Sequence, residues 1–229
     1  MTKIWLVGAS EGIGRALAQE LGKDHSMILS GRNQERLQEL NPYRCFPLDV
    51  TAPDISLPEP IDTLIYCAGY YSPMSAAQID LNAALSMVDI NLSGAIRVLN
   101  AVIPHFIAKK QGHIVLIGSI AAYRGLPNSF GYGASKAAIL HLGENLKCDL
   151  AKYNIKVQVI SPGFVKTRLT SLNTFHMPSI MTPERAAQKI ISAMKGNTFE
   201  SRFPFFFGNF LKTLSKLPYF LYFRLIGRR

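Results

Sequence analysis

The amino-acid sequence predicts an α/β fold: a single doubly wound parallel sheet with helices on both faces, followed by an apolar, basic helical tail. Three observations carry this expectation. Short apolar runs alternate with helical patterns through the first half of the chain, the signature of strand–helix–strand units and a parallel sheet. A glycine cluster, Gly8-Ala9-Ser10-Glu11-Gly12-Ile13-Gly14, separates the first apolar run from the first helical pattern. No internal repeat and no Gly/Ser-rich linker interrupts the 229 residues, so 1–204 reads as one domain and 205–229 as its extension.

Taken in order, Lys3–Val7 is the first strand, and the apolar stretch there is too short for a signal peptide. Ile13, Leu17, Ala18 and Leu21 recur at helical spacing and define a helix over Ile13–Gly22. Ser26–Ser30 is the second strand, Asn33–Leu40 a short helix stopped by Asn41-Pro42, and Cys45–Leu48 the third strand. Thr51–Ile61 holds Pro53, Pro58 and Pro60, which forbid a normal helix, so this crossover reads as an irregular loop. Thr63–Cys67 is the fourth strand, about Ala76 to Lys109 one long helix, and His113–Ser119 the fifth strand. Ala134–Tyr153 is a further helix, Val157–Ser161 the sixth strand and Thr198–Phe203 the last.

Composition narrows the class. Apolar residues make up 48% and charged residues 17%, which supports a buried core and argues against disorder. Twenty-five Lys and Arg against 15 Asp and Glu leave a net charge of +10, compatible with phosphates, anionic lipid or nucleic acid and selective for none. Three cysteines, Cys45, Cys67 and Cys148, are odd in number and form no Cys-x-x-Cys pair. That excludes a disulfide framework and a Cys-rich zinc site, predicts no metal, and favours a reducing, cytoplasmic location.

The glycine cluster follows a strand and opens a helix. Glycines there permit a tight turn and the close approach of a pyrophosphate, whose charge the helix N-terminus favours. The spacing Gly-x-x-x-Gly-x-Gly differs from the general fingerprint, and an ordinary strand-to-helix turn is the bland alternative. Ser30-Gly31-Arg32 closes the second strand. An acid at this point bonds a ribose 2′-hydroxyl, whereas an arginine accommodates a 2′-phosphate through two parallel hydrogen bonds. Arg32 stands there and no acid does, so NADP(H) is expected over NAD(H), the alternative. Glu11 weighs against this, because it occupies the place of a second base.

Tyr132 and Lys136 stand four apart at a predicted helix start and therefore share a face. A phenol titrates near ~10 when unperturbed; a neighbouring ammonium favours the phenolate, lowers that value and makes a usable general acid/base. Ser119 lies 13 positions earlier, at the carboxyl end of a strand, where open α/β sheets bind ligands. Singly, Ser119, Tyr132, Lys136 and Asn91 each have an ordinary structural explanation; Asn91, for example, could cap or kink its long helix.

As an ordered set these residues resemble the short-chain dehydrogenase/reductase family. The resemblance runs from Lys3 to about Thr167 and takes in the Gly8/Gly12/Gly14 turn, Asp49-Val50, Ala68-Gly69 and Asn91-Leu92-Ser93-Gly94. It continues through Ser119, Tyr132-x-x-x-Lys136 and Pro162-Gly163-Phe164-Val165-Lys166-Thr167. It implies a Rossmann sheet and an enzyme that moves a hydride between nicotinamide and a carbonyl/alcohol pair. Tyr132 would then exchange the proton, Lys136 would bond the nicotinamide ribose and depress the tyrosine, Ser119 would hold the substrate oxygen, and Asn91 would anchor a water. Gly8, Ser10, Glu11, Gly12, Ile13, Gly14, Arg32, Val50, Ala68, Gly69, Pro162, Gly163 and Val165 would join the cofactor site. Asp49 would meet the adenine and Thr167 the nicotinamide amide. The family also suggests a homodimer or homotetramer.

Three departures stand out. The family often has Asn-Asn-Ala-Gly where this chain has Tyr66-Cys67-Ala68-Gly69, and Cys67 reads as a small buried hydrophobe. The proline-rich crossover leaves one sheet face thin, or covered by another segment or subunit. From Phe203 onward aromatics and leucines crowd together with Lys212, Lys216, Arg224, Arg228 and Arg229. That tail either packs on the domain or a partner copy, the favoured reading, or lies peripherally on a membrane with 205–229 in the interface. Nucleic acid is not expected, as no recognised module is present. Leu169, Leu172, Phe175, His176, Met177 and Ile180, with Tyr123 and Phe164, suggest an apolar or aromatic small-molecule substrate. The rival class is a non-catalytic dinucleotide sensor or scaffold acting through its tail.

Overall fold

Side-chain alternation in β1 (Lys3–Val7) divides the interior in two: Ile4 and Leu6 point to one side, Trp5 and Val7 to the other, and all four are buried. The remaining strands are β2 (Ser26–Ser30), β3 (Arg44–Cys45), β4 (Thr63–Tyr66), β5 (Gly112–Ile117), β6 (Ile155–Pro162) and β7 (Glu200–Phe203). In the computed structural model, which describes residues 1–173, 175 and 177–227, they form one all-parallel sheet in the order β3-β2-β1-β4-β5-β6-β7. The order reverses between β1 and β4, and the crevice above that switch point is the expected place for a ligand.

Helices α1 (Gly12–Leu21) and α2 (Gln34–Gln38) lie on the Ile4/Leu6 face with α6 (Pro183–Lys195). The opposite face is covered by α4 (Gly94–Lys109) and α5 (Phe130–Leu150), through Val98, Val102, Phe106, Ile139 and Leu146. The proline-rich crossover is irregular, as expected. Its own Ile55, Leu57 and Ile61 pack on this second face with Phe46 and Leu48, so the sheet is not left bare there. Trp5 fixes the corner, donating from its indole to Ser30 Oγ at 2.8 Å while meeting Phe46 edge-on.

Several boundaries differ from expectation. The third strand stops at Cys45 rather than Leu48, because Pro47 cannot donate to the ladder, although the Phe46 and Leu48 amides still reach Leu29 and Gly31. The fifth strand stops at Ile117, and Ser119 instead caps a short 3-10 turn over Ile120–Ala122. The single long helix is three pieces: α3 (Leu81–Val88), a π-turn over Asp89–Ser93, and α4. Asp80 caps α3 by accepting from the Ala83 amide, which sets the start later than Ala76. This rod, Leu81–Lys109, has the length and composition to cross a membrane, but α4 buries one face against the sheet. Helix α6 has no counterpart among the expected elements, although Thr182, accepting from the Arg185 amide, and Pro183 at the first position are an ordinary helix start.

The tail forms α7 (Phe205–Leu214) and α8 (Tyr219–Ile226). Both dock on the segment after Ser119. The Arg124 guanidinium lies 4.3 Å from the ring centres of Tyr219 and Tyr222 and donates to the Ser215 and Leu217 carbonyls. Buried Tyr222 donates its hydroxyl to the Gly125 carbonyl at 2.6 Å. Arg228 and Arg229 lie outside the described residues.

Candidate active site

The glycine turn is fixed by contact as well as by φ. Gly8 has φ +93°, and a Cβ on it would stand 2.4 Å from the Ala68 amide nitrogen. A Cβ on Gly14 would fall 1.8 Å from the Gly8 carbonyl oxygen, so α1 can begin this close to β1 only with glycine there. Helix α1 opens with no side-chain cap and no acid in its first turn. Gly12, Ile13 and Gly14 at its start line the cleft, and the positive end of the helix dipole favours an anion there. This cradle fits a dinucleotide pyrophosphate.

One cleft of about 1160 Å³ runs along the carboxyl edge of the sheet. Its wall includes Gly8, Ser10, Glu11, Gly12, Ile13, Gly14, Arg32, Val50, Ala68 and Gly69 from the first half of the chain. From the second half come Ser119, Tyr132, Lys136, Pro162, Gly163, Val165 and Thr167, with Thr167 packed on Gly12. Two expected residues are not on this wall. Asp49 turns its carboxylate onto the Thr51 amide and hydroxyl, which hold it below the usual carboxylate range, with Arg32 adding to the effect. Asn91 is fully buried in the π-turn. It accepts from the Tyr70 amide at 2.7 Å and donates to the Tyr70 carbonyl and to Ser135 Oγ. It clasps the segment after β4 to α5.

The π-turn coincides with a long-range contact from β4. Tyr66 donates its hydroxyl to the Ile90 carbonyl at 2.6 Å, and a Cβ on Gly94 would come within 2.7 Å of that same hydroxyl. The widened turn carries the Asn91 side chain toward β4 and α5.

Lys136 is buried and donates to the Ile117 carbonyl at 2.8 Å; its Nζ lies 5.8 Å from the Tyr132 ring centre. Burial lowers its pKa to about 8. Tyr132 moves opposite to expectation: burial pushes it up to about 12, outweighing the downward pull of the nearby Ser119 hydroxyl. Lys136 contributes no offsetting charge effect on Tyr132, its ammonium being tied to the Ile117 carbonyl. Tyr132 is thus a protonated phenol at neutral pH. Cys67 lines the cleft half-buried, and burial pushes its thiol up to about 11, so it stays protonated, consistent with a small hydrophobe.

Other wall residues escaped the sequence reading. Tyr71 meets Tyr132 edge-on at 4.8 Å and donates to Asn173 Oδ1 at 2.5 Å. Arg168 forms a bidentate pair with Glu11, whose carboxylate also receives Arg36 and is held below its usual range. The tandem Tyr70-Tyr71 and the Lys166/Arg168 charges were the only signals. Of the expected substrate side chains, Phe164, Leu169 and Phe175 line the cleft with Leu126, Phe207 and Leu225. Leu172, Met177 and Ile180 do not line it. Tyr123 also lies off the wall, its hydroxyl buried toward Glu200 and Ser161, and His176 lies outside the described residues.

Sheet order, glycine turn and cleft define a Rossmann-fold protein whose ligand site opens at the carboxyl edge of the strands. Residues 2–176 match the family model for short chain dehydrogenase, and the chain belongs to that family of oxidoreductases. An uncharacterized oxidoreductase of Myxococcus xanthus (strain DK1622) is 31% identical over 217 residues, covering 87% of this chain and 86% of its own. Sulfoacetaldehyde reductase of Chromohalobacter salexigens is 34% identical over 190 residues, covering 75% of each. Among solved structures, a closed form of serine dehydrogenase complexed with NADP+ superposes with a TM-score of 0.78 at 26% identity, covering 87% of this chain and 93% of its own.

Proposed function

We propose that the chain is an NADP-dependent reductase or dehydrogenase acting on an apolar carbonyl/alcohol pair, with Tyr132 as general acid/base. The observation that carries this reading is that Tyr132, Ser119, Lys136 and the glycine turn all face one cleft. When bound, the nicotinamide supplies or takes up the hydride. Ser119 and Tyr132 would hold the carbonyl oxygen, and Tyr132 would give it its phenolic proton as charge develops there. In the reverse direction Tyr132 must first lose that proton to act as base. Lys136 would hold the ribose and keep positive charge near the phenol. The pyrophosphate would lie on the first amides of α1. Arg32, exposed on the cleft wall, supports a 2′-phosphate, as does the NADP+-bound structural relative.

Substrate preference follows from the other end of the cleft. Phe164 lies 5.8 Å from Phe175 and stacks on Phe207 at 6.1 Å, with Leu126, Leu169 and Leu225 beside them. Exposed Leu81, Leu85 and Ile96 on the α3–α4 rod offer a surface for a homodimer or homotetramer.

The reading is tested by following reduced-nicotinamide absorbance against a panel of carbonyls over a range of pH. Apolar and aromatic aldehydes or ketones are expected to turn over, and turnover of small polar carbonyls alone would contradict the pocket assignment. The sign of the pH dependence follows from the two groups. Reduction needs the Tyr132 proton and the Lys136 charge, so it holds at neutral pH and falls as Lys136 discharges above about 8. Oxidation needs the phenolate and rises only as the pH approaches the Tyr132 value of about 12.

A further inference from the structure

Nine of the chain's 23 aromatic residues lie in 201–229, a stretch holding six Lys and Arg and no acid at all. In a packed tail these aromatics would point inward. Here only part of each helix does: Gly208 and Tyr222 are buried, and Phe207, Leu211, Leu225 and Ile226 line the cleft. Phe205, Phe206, Phe210, Tyr219, Phe220 and Phe223 are exposed, Phe206 by 86% and Phe220 by 72%. The charges divide in the same way. Arg202 and Lys212 turn in to Glu200, the last acid of the sequence, whereas Lys216 and Arg224 stay exposed beside the free aromatics.

We propose that the outer face of α7–α8 docks on an anionic lipid bilayer. Exposed aromatics sink into the headgroup boundary, and Lys216 and Arg224 meet anionic headgroups, the composition of an interfacial helix. Charge decides against a second copy of the chain on this face. A twofold interface sets the same patch against itself, so Lys216 and Arg224 would face like charges with no acid in 201–229 to pair with them. A lipid surface supplies the missing negative charge. Because Leu225, Ile226 and Gly227 border the cleft, a docked enzyme would open its apolar end toward the bilayer. The value of that orientation for an apolar substrate rests on the proposed activity; docking itself does not.

The test is co-sedimentation of the full chain with vesicles of phosphatidylcholine mixed equally with phosphatidylglycerol, against vesicles of phosphatidylcholine alone. Salt-sensitive binding to the anionic vesicles is expected, roughly tenfold or more above the neutral ones. A double variant, Phe206→Asp with Phe220→Asp, should lose that binding while its NADPH titration stays unchanged; neither residue lines the cleft. Lys216→Glu with Arg224→Glu should lose it as well. Absence of binding by the native chain, or binding undiminished in either folded double variant, would overturn the proposal. So would sedimentation velocity in which Phe206→Asp with Phe220→Asp dissociates an oligomer, since the face would then be an interface between copies.

Discussion

Replacing Tyr132 by phenylalanine is expected to lower kcat by about a thousandfold, within the 10²–10⁴ range of a positioned general acid. NADPH affinity should stay within roughly a factor of two, because the change removes one oxygen and leaves the ring. The edge-on contact with Tyr71 and the helix around Lys136 need no hydroxyl. The Ser119 hydroxyl keeps the Ala121 amide as donor to its oxygen. Steady-state kinetics with a fluorescence titration separate the two effects. Retention of more than about a tenth of native turnover would contradict the assignment of Tyr132 and strengthen the case for a non-catalytic sensor.

The second large effect is structural. Gly14→Ala places a methyl where the nearest atom, the Gly8 carbonyl oxygen, is 1.8 Å away, and that atom is backbone. Helix α1 must move off β1, which opens the turn and misaims the amides meant for a pyrophosphate. Overpacking of this kind costs about 3 kcal/mol or more, equivalent to a fall of roughly 6–12 °C in Tm for a chain of this length. NADPH binding should weaken by about a hundredfold. Differential scanning calorimetry and the same titration read both; a variant with native Tm and native affinity would mean that the turn tolerates separation from β1.

Much of this was legible in the sequence because it rests on short-range chemistry. The unbroken apolar run Ile4–Val7 and the strand-turn-helix setting of Gly8, Gly12 and Gly14 require no tertiary information to read. The long helix was legible as a helix but not as a broken one. Its π-turn depends on the Tyr66 hydroxyl reaching Ile90 across 24 residues, and periodicity cannot report a contact of that range. The third strand reads too long in sequence because Phe46 and Leu48 continue the apolar pattern on either side of Pro47. Helix α6 buries only Ala186, Ala187 and Ile190, a weak apolar stripe, and Thr182-Pro183 is the local mark of its start.

Within the site, proximity was legible and protonation was not. Tyr132 and Lys136 share a helical face as their spacing required. The direction of the tyrosine shift depends on how deeply both groups are buried and on where the ammonium donates, neither of which is a property of the motif. Glu11 shows the same limit. As a sequence position it weighed against a second phosphate contact, whereas in the fold its carboxylate is taken up by Arg36 and Arg168.

The central claim, a dinucleotide site built for a 2′-phosphate, is tested most directly by titrating native chain and Arg32→Ala with NADPH and NADH at fixed salt, reading nicotinamide fluorescence. The account predicts that native chain binds NADPH at least about tenfold more tightly than NADH. It predicts that Arg32→Ala removes most of that difference by weakening NADPH alone, since one charge-assisted contact to phosphate is worth about 1.5–3 kcal/mol. Equal or tighter binding of NADH by the native chain would contradict the phosphate assignment, and failure of either nucleotide to bind would contradict the site itself.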